Sequence, residues 1–255
     1  MKDLLGRNFD FSTPPTRVVS LVPSLTETLF DLGAGDSVAG ITDFCIFPEG
    51  LDRPRVGGTK NPHIKEIHAL APDLVYMNLE ENLERHAKQI AAFAPVFVTE
   101  PKTVDDVSDL ITTLGAIHQC VEKARELRDA LDRERARLAA FTFAVPIWKK
   151  PWMWCGGDTY VSNLVESIGG RNVLHDRERY PSLTLDEVLA HKPNIVFLPD
   201  EPYLFTSEDA DGIVGPRVIG PFPGHLFTWH GTRTILGLRF LRRVLLSSLY
   251  EGRRR

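Results

Sequence analysis

The chain repeats itself. Residues 66–77 read EIHALAPDLVYM and residues 187–198 read EVLAHKPNIVFL. Each is a helix end, a proline stop and a short apolar strand. Upstream of each lies a second matched block, LTETLFDLGAGDSV at 25–38 and VSNLVESIGGRNVL at 161–174, both amphipathic helices that end at glycine. The blocks keep their order in the two halves. A duplicated α/β unit predicts two similar lobes, and a ligand site in the cleft between them.

The local signals fill in the first half. Arg17–Val22 reads as a strand, and Pro23-Ser24 starts a helix that Gly33 ends. Strands are predicted at Val38–Thr42, Leu74–Asn78 and Val96–Thr99. Between the first two of these, residues 43–62 form a Pro/Gly-rich loop; a helix begins at Asn61-Pro62 and stops at Pro72, and another is predicted over Glu80–Phe93. Alternation of this kind builds a parallel sheet with helices on both faces. From Thr103 to about Phe141 the strands cease. Thr103 and Asp106 form a helix-start signature, and after Gly115 a charged helix is predicted from about Cys120 to Ala140. Its narrow apolar stripe and its span of roughly 30 Å suit a rigid connector. The second unit is expected to start at Trp152–Cys155, followed by helices at Tyr160–Ile168 and Leu183–His191 and a strand at Asn194–Pro199. Residues 200–224 read as irregular, and a helix at about Thr232–Tyr250 closes the chain. The expected organisation is an N-terminal α/β lobe at 1–118, a bridging helix at 119–142 and a C-terminal α/β lobe at 143–255.

Composition narrows the function classes. A net charge of −4 argues against nucleic acid as a partner, and Arg253-Arg254-Arg255 reads as a solvated tail. No run is long enough to span a membrane. Asp3, Arg7, Asn8 and Asp10 interrupt any apolar leader, and Cys45, Cys120 and Cys155 are odd in number and widely spaced, which suits reduced thiols. The expected compartment is therefore the cytoplasm, or the periplasm or extracellular space if a leader has been removed.

Ligands bind at the carboxyl ends of parallel strands, so the residues there are the site candidates. The first half offers Pro23, Ser24, Phe44, Cys45, Lys60, Asn78 and Glu81; the second offers Trp154, Asp158, Tyr160, Trp229 and His230. Trp154 and Trp229 are either core or surfaces that stack on a flat ligand. Cys45 and His230 are candidate metal ligands, against the plainer readings of a small buried residue and a hydrogen-bonding rim group. Gly57-Gly58-Thr59-Lys60 lacks the first glycine of a phosphate-binding loop, and no nucleophile elbow or zinc-spaced Cys/His set occurs. Glu84 opens a helix and can pair with Lys88.

Taken in order, RVVSLVPSLTETLFDLGAGDSVAGIT, VGGTKNP, LAPDLVYMNLEEN, the long helix and MWCGGDTYVSNLVESIGGRNVL resemble the metal-chelate class of ABC-transporter substrate-binding proteins. That class includes binders of cobalamin, ferric siderophores and haem, and the likeness is strongest to the cobalamin type. It covers roughly residues 17–248. The resemblance implies two Rossmann-like lobes joined by one stiff helix. It also implies a monomer that binds without catalysis, with no intrinsic cofactor and with a cobalt corrinoid or ferric chelate as ligand. The expected partners are that chelate and an ABC permease. In the cobalamin type an aromatic after the third strand contacts the ligand; here Asn78 stands there, leaving Tyr160, Trp154 and Trp229 to compensate. Family members dock through one acid on each lobe. Glu84 matches the first, while Phe227–Gly231 holds no carboxylate for the second. The alternatives are a tetrapyrrole-handling enzyme or metallochaperone using Cys45 and His230, and a cytoplasmic partner that reads ligand occupancy.

Overall fold

The computed structural model describes residues 2–251, so the arginine tail lies outside the described residues. The chain divides into two compact units, Met1–Pro101 with Val107–Asp129, and Lys102–Asp106 with Ala130–Arg255.

Unit 1 runs β1 (Val18–Ser20), α1 (Pro23–Asp31), β2 (Val38–Ile41), α2 (Ile64–Ala69), β3 (Leu74–Asn78), α3 (Glu84–Ile90) and β4 (Val96–Thr99). The strands pair in the order β2-β1-β3-β4, all parallel. Their apolar runs are buried on both faces, as the five consecutive buried residues of β3 show. One face of the sheet packs Val19, Val75, Met77 and Val96 against Ile67 and Ile90 of the helices. Pro23 fits the first turn of α1, where its missing N–H costs nothing, and Gly33 leaves the helix with φ +82°. The helix predicted from Glu80 begins only at Glu84. The Asn78 carboxamide oxygen accepts from the Glu80 and Glu81 N–H groups at 2.8 and 3.2 Å, so a side-chain turn takes donors that a helix would need.

The helices α4 (Val104–Ile117) and α5 (Val121–Glu134) follow, and the division between units falls within each. Thr103 and Asp106 exchange side-chain to backbone bonds of 2.9 and 3.0 Å, which is the predicted start of α4. α5 is shorter than the charge pattern suggests. After Glu134 the chain extends, and Leu138 N–H donates to Ile168 at 2.7 Å, so a tertiary bond replaces the last helical turns.

Unit 2 contains β5 (Phe141–Ala144), β6 (Pro146–Trp148), β7 (Met153–Trp154), α6 (Tyr160–Glu166), β8 (Gly170–Asn172), α7 (Leu185–Ala190), β9 (Ile195–Pro199), α8 (Ser207–Asp211), β10 (Arg217–Phe222), α9 (His225–Thr228) and α10 (Arg233–Glu251). Its parallel sheet has the order β10-β9-β5-β8. Read from the other edge, that is the order of unit 1 with β5, β8, β9 and β10 in the places of β1, β2, β3 and β4. Two expectations are corrected here. The first sheet strand is β5, and Trp152–Cys155 contributes only β7, one arm of an antiparallel hairpin with β6. The stretch 200–224 is not wholly irregular: a Thr206–Asp209 capping box starts α8, and β10 forms the sheet edge. Pro221 masks β10 as a strand in the sequence, but an edge position with a register shift between Ile219 and Phe222 tolerates it.

Candidate functional site

At the carboxyl end of the unit 1 sheet, β1 passes to α1 through Leu21 and Val22, both fully buried. Pro23 and Ser24, candidates for ligand contact, are buried with them in the first turn of α1. After β2 the chain alternates. Phe44 and Ile46 are 58% and 56% exposed, and Cys45 between them is fully buried. Arg55 fixes this alternation, its Nη1 donating to the Thr42 and Cys45 carbonyls at 2.8 and 2.9 Å. The Cys45 Sγ lies 3.2 Å from the hydroxyls of both Thr26 and Thr42, and burial pushes its thiol up. A closed, protonated thiol of this kind is a core group.

Gly58 supports the Phe44 ring: a Cβ there would stand 3.2 Å from Cε2 of Phe44 and collide with the Asn61 side chain. Lys60 is exposed and donates to the Glu80 carbonyl at 2.5 Å. Asn78 is only 3% exposed and braces the turn after β3. Asn82 completes the brace, accepting from Asn78 N–H at 2.8 Å and donating to the carbonyls of Leu21 and Thr59 at 3.1 and 3.0 Å. What this turn presents to solvent is Leu79, 50% exposed, beside the half-buried Glu81. Glu84 is exposed and pairs with Lys88 at 2.8 Å, which lowers its carboxyl.

In unit 2, Trp154 is fully buried. Its Nε1 donates to the Leu183 carbonyl at 2.9 Å and its ring stacks on Trp152 at 5.4 Å, within a cluster that includes Val196, Leu198 and Phe205. Tyr160 is nearly as enclosed, its hydroxyl 2.6 Å from Thr234 Oγ1 and its ring edge-on to His230 at 6.2 Å. Burial raises the Tyr160 phenol and pushes His230 down to about 4, leaving the imidazole neutral. The aromatics expected to compensate for Asn78 are thus core residues in two cases of three. Trp229 is the half-buried exception, with the Arg233 guanidinium 5.9 Å from its ring. Asp158 is exposed and accepts from Arg179 N–H at 2.5 Å.

Cys45 and His230, the candidate metal ligands, are both buried and belong to different units. Among the described residues no group of three or more His, Cys, Asp and Glu is placed to hold a metal ion. Four exposed or half-exposed residues at strand ends escaped the sequence reading: Ile46, Leu79, Trp148 (42% exposed) and Leu204 (71% exposed). The available signal was a large apolar side chain at or just beyond the end of a strand. Tyr203, after β9, packs edge-on against Trp148 at 5.3 Å. Glu201 is held partly buried against Gly224, and burial, then Asp200, raises its carboxyl.

A sequence profile described as periplasmic binding protein matches residues 18–218. The chain belongs to that family. The vitamin B12-binding protein of Yersinia pestis is 27% identical over 194 residues, covering 71% of this chain and 68% of the relative. Two solved structures share the fold. The periplasmic vitamin B12 binding protein BtuF of Vibrio cholerae has a TM-score of 0.74 at 20% identity, over 89% of this chain and 95% of its own. The periplasmic heme binding protein HutB of Vibrio cholerae has a TM-score of 0.77 at 16% identity, over 90% and 98%. The two α/β lobes with parallel sheets expected of this periplasmic binding protein are the ones present. No helix among its described residues is long and apolar enough to cross a membrane.

Proposed function

We propose that this periplasmic binding protein captures a metal chelate, a cobalt corrinoid in preference to haem or a ferric siderophore, and delivers it to an ABC importer outside the cytoplasm without altering it. The observation that carries the reading is the exposure of Phe44, Ile46 and Leu79, at 58%, 56% and 50%, at the carboxyl ends of β2 and β3. Large apolar side chains held out into water at the ligand-binding end of a parallel sheet mark a contact surface. Covering them returns roughly 25 cal/mol per Å² of apolar area. A corrin or porphyrin has the flat, largely apolar faces to do so. The named relatives supply the preference for a corrinoid.

The ligand contacts proposed in unit 1 are Phe44, Ile46, Leu79 and Lys60, with Glu81 at their margin. Those in unit 2 are Trp229, Asp158, Trp148 and Tyr203. Glu84, exposed on the first turn of α3, is the proposed docking acid toward a permease. The bound chelate is cargo, carried and released unaltered.

Titration of the purified chain with cyanocobalamin, dicyanocobinamide, haemin and ferric siderophores tests the reading, followed by tryptophan fluorescence and calorimetry. Saturable one-to-one binding with a corrinoid tightest is expected. Haem or a siderophore binding more tightly would reassign the ligand, and no binding of any would end the proposal.

A further inference from the structure

Between β5 and α6 the chain makes an excursion that unit 1 lacks. Residues 145–159 carry the β6–β7 hairpin, where Leu21 and Val22 alone join β1 to α1. The hairpin leaves the carboxyl end of β5, and its Trp148 meets Tyr203, which follows the carboxyl end of β9. β9 and β5 are the inner strands of the sheet, so the hairpin overhangs the end where α/β proteins bind ligands.

Its turn is Lys149-Lys150-Pro151. Lys150 holds a left-handed φ of +71°, which a lysine keeps only where its surroundings impose it. Here they do. The Lys149 ammonium is tied to Asp209 and lies 5.6 Å from the centre of the Trp152 ring, and Trp152 is itself stacked with Trp154 at 5.4 Å and with Phe205 at 5.8 Å. Beside this turn is a recess of about 380 Å³, bordered by Lys149, Lys150, Trp152, Leu183 and Thr184, within the range of small-molecule sites. Glu187 also borders it, but its Oε2 is occupied by the N–H and hydroxyl of Thr184 at 2.6 and 2.8 Å. Asp209 offsets Lys149. Lys150 is exposed and has no carboxylate partner among the described residues.

We infer that this recess takes the anionic substituent of the chelate, with Lys150 as the counter-charge and the Trp152 ring as the apolar wall. The inference rests on the chelate reading above. The shared chemistry is an oxyanion attached to a flat macrocycle. In a complete corrinoid it is the phosphodiester of the nucleotide loop, and in haem it is a propionate. Neutral counterparts of each exist: cobinamide lacks the phosphodiester, and the dimethyl ester of haemin lacks free carboxylates.

Calorimetric titration of the unaltered chain, Lys150→Met and Lys192→Met with cyanocobalamin, dicyanocobinamide, haemin and haemin dimethyl ester tests it. Lys192 is exposed in the α7–β9 connection, before the amino end of β9, and controls for net charge. Lys150→Met should weaken whichever charged ligand binds by about five- to tenfold, leave its neutral counterpart unchanged, and lose its effect in high salt. Equal losses on charged and neutral ligands, no loss on either, or the same loss from Lys192→Met would overturn the subsite while leaving chelate binding intact. Failure of the unaltered chain to bind any of the four or a ferric siderophore would instead refute the chelate reading and the subsite with it, whereas binding of a siderophore alone would overturn the subsite and keep the chelate reading.

Discussion

The two units share a sheet and differ at its rim. Both run their parallel strands in one order, with β5, β8, β9 and β10 standing where β1, β2, β3 and β4 stand. Unit 1 passes from its first strand to its first helix through two buried residues and presents aliphatic and phenyl side chains: Phe44, Ile46 and Leu79. Unit 2 spends residues 145–159 on the same connection and presents indoles and charge: Trp148, Lys149, Lys150 and, after β10, Trp229. All four tryptophans of the chain, at 148, 152, 154 and 229, belong to unit 2. Strand cores are constrained by packing on both faces, whereas strand-end connections can change length and chemistry without disturbing the sheet. Two copies of one scaffold can thus offer unlike surfaces to an asymmetric ligand.

The largest effect that could break this contrast concerns Trp154 and Phe44. Trp154→Ala should cost roughly 3–5 kcal/mol in denaturant titrations, because it empties the unit 2 core. Phe44→Ala should stay within about 0.5 kcal/mol, since its ring is 58% exposed. Similar losses from both would mean that Phe44 is not a rim residue.

Next is acid. Burial holds His118 of unit 1 and His230 of unit 2 each at about 4, below the ordinary 6.5. For an imidazole with a lowered folded pKa, the stability is fully present above about pH 6.5 and is lost as pH falls toward 4, by about 3 kcal/mol per group at the acid limit. His230→Gln should flatten that loss where tryptophan fluorescence follows unit 2. His118→Gln, which keeps a donor near the Tyr76 hydroxyl that now lies 3.0 Å from His118 Nε2, should flatten it only in far-UV circular dichroism. An unchanged acid limb in both variants would assign the loss to other groups.

Affinity provides the third test. Phe44→Ala should weaken cyanocobalamin binding about tenfold, or about 1.4 kcal/mol. Gly58→Ala should produce part of that loss by displacing the ring it supports, with Phe44 itself intact. Full affinity in both would remove unit 1 from the contact surface.

The smallest test compares matched helices. α7 begins with a capping box in which Thr184 Oγ1 accepts from Glu187 N–H, while α2 has His63 at that position with no side-chain cap. Thr184→Ala should cost about 1 kcal/mol and His63→Ala less than about 0.5 kcal/mol, read from the same denaturant curves.

Much of the scaffold is legible in the sequence because its signals are local. Pro72-Asp73 and Pro193-Asn194 stop a helix and launch an apolar run in each half, and β3 and β4 occupy the residues that the pattern predicts. Gly33 and the Thr103–Asp106 pair mark helix ends by backbone geometry and capping, each within a few residues. The short strands β5, β8 and β10 carry no comparable signal. No helix stop followed by an apolar run marks them, and they become strands by pairing within the unit 2 sheet.

The site divides the same way. Residue types and positions after each strand were readable, and so were Phe44, Lys60 and Trp229 as candidates. Which side chains face water was not, because distant segments decide it. Arg55 turns Cys45 inward and Phe44 outward through two carbonyls, Asn82 ties the β3 turn to Leu21 and Thr59, and Leu183 receives the indole N–H that keeps Trp154 in the core. By itself the sequence determined a duplicated α/β frame, since periodicity and helix stops act over neighbouring residues. Only the tertiary structure decided what that frame shows to a ligand, since burial is set by contacts between residues far apart in the chain, as between Leu21 and Asn82 or Tyr160 and Thr234.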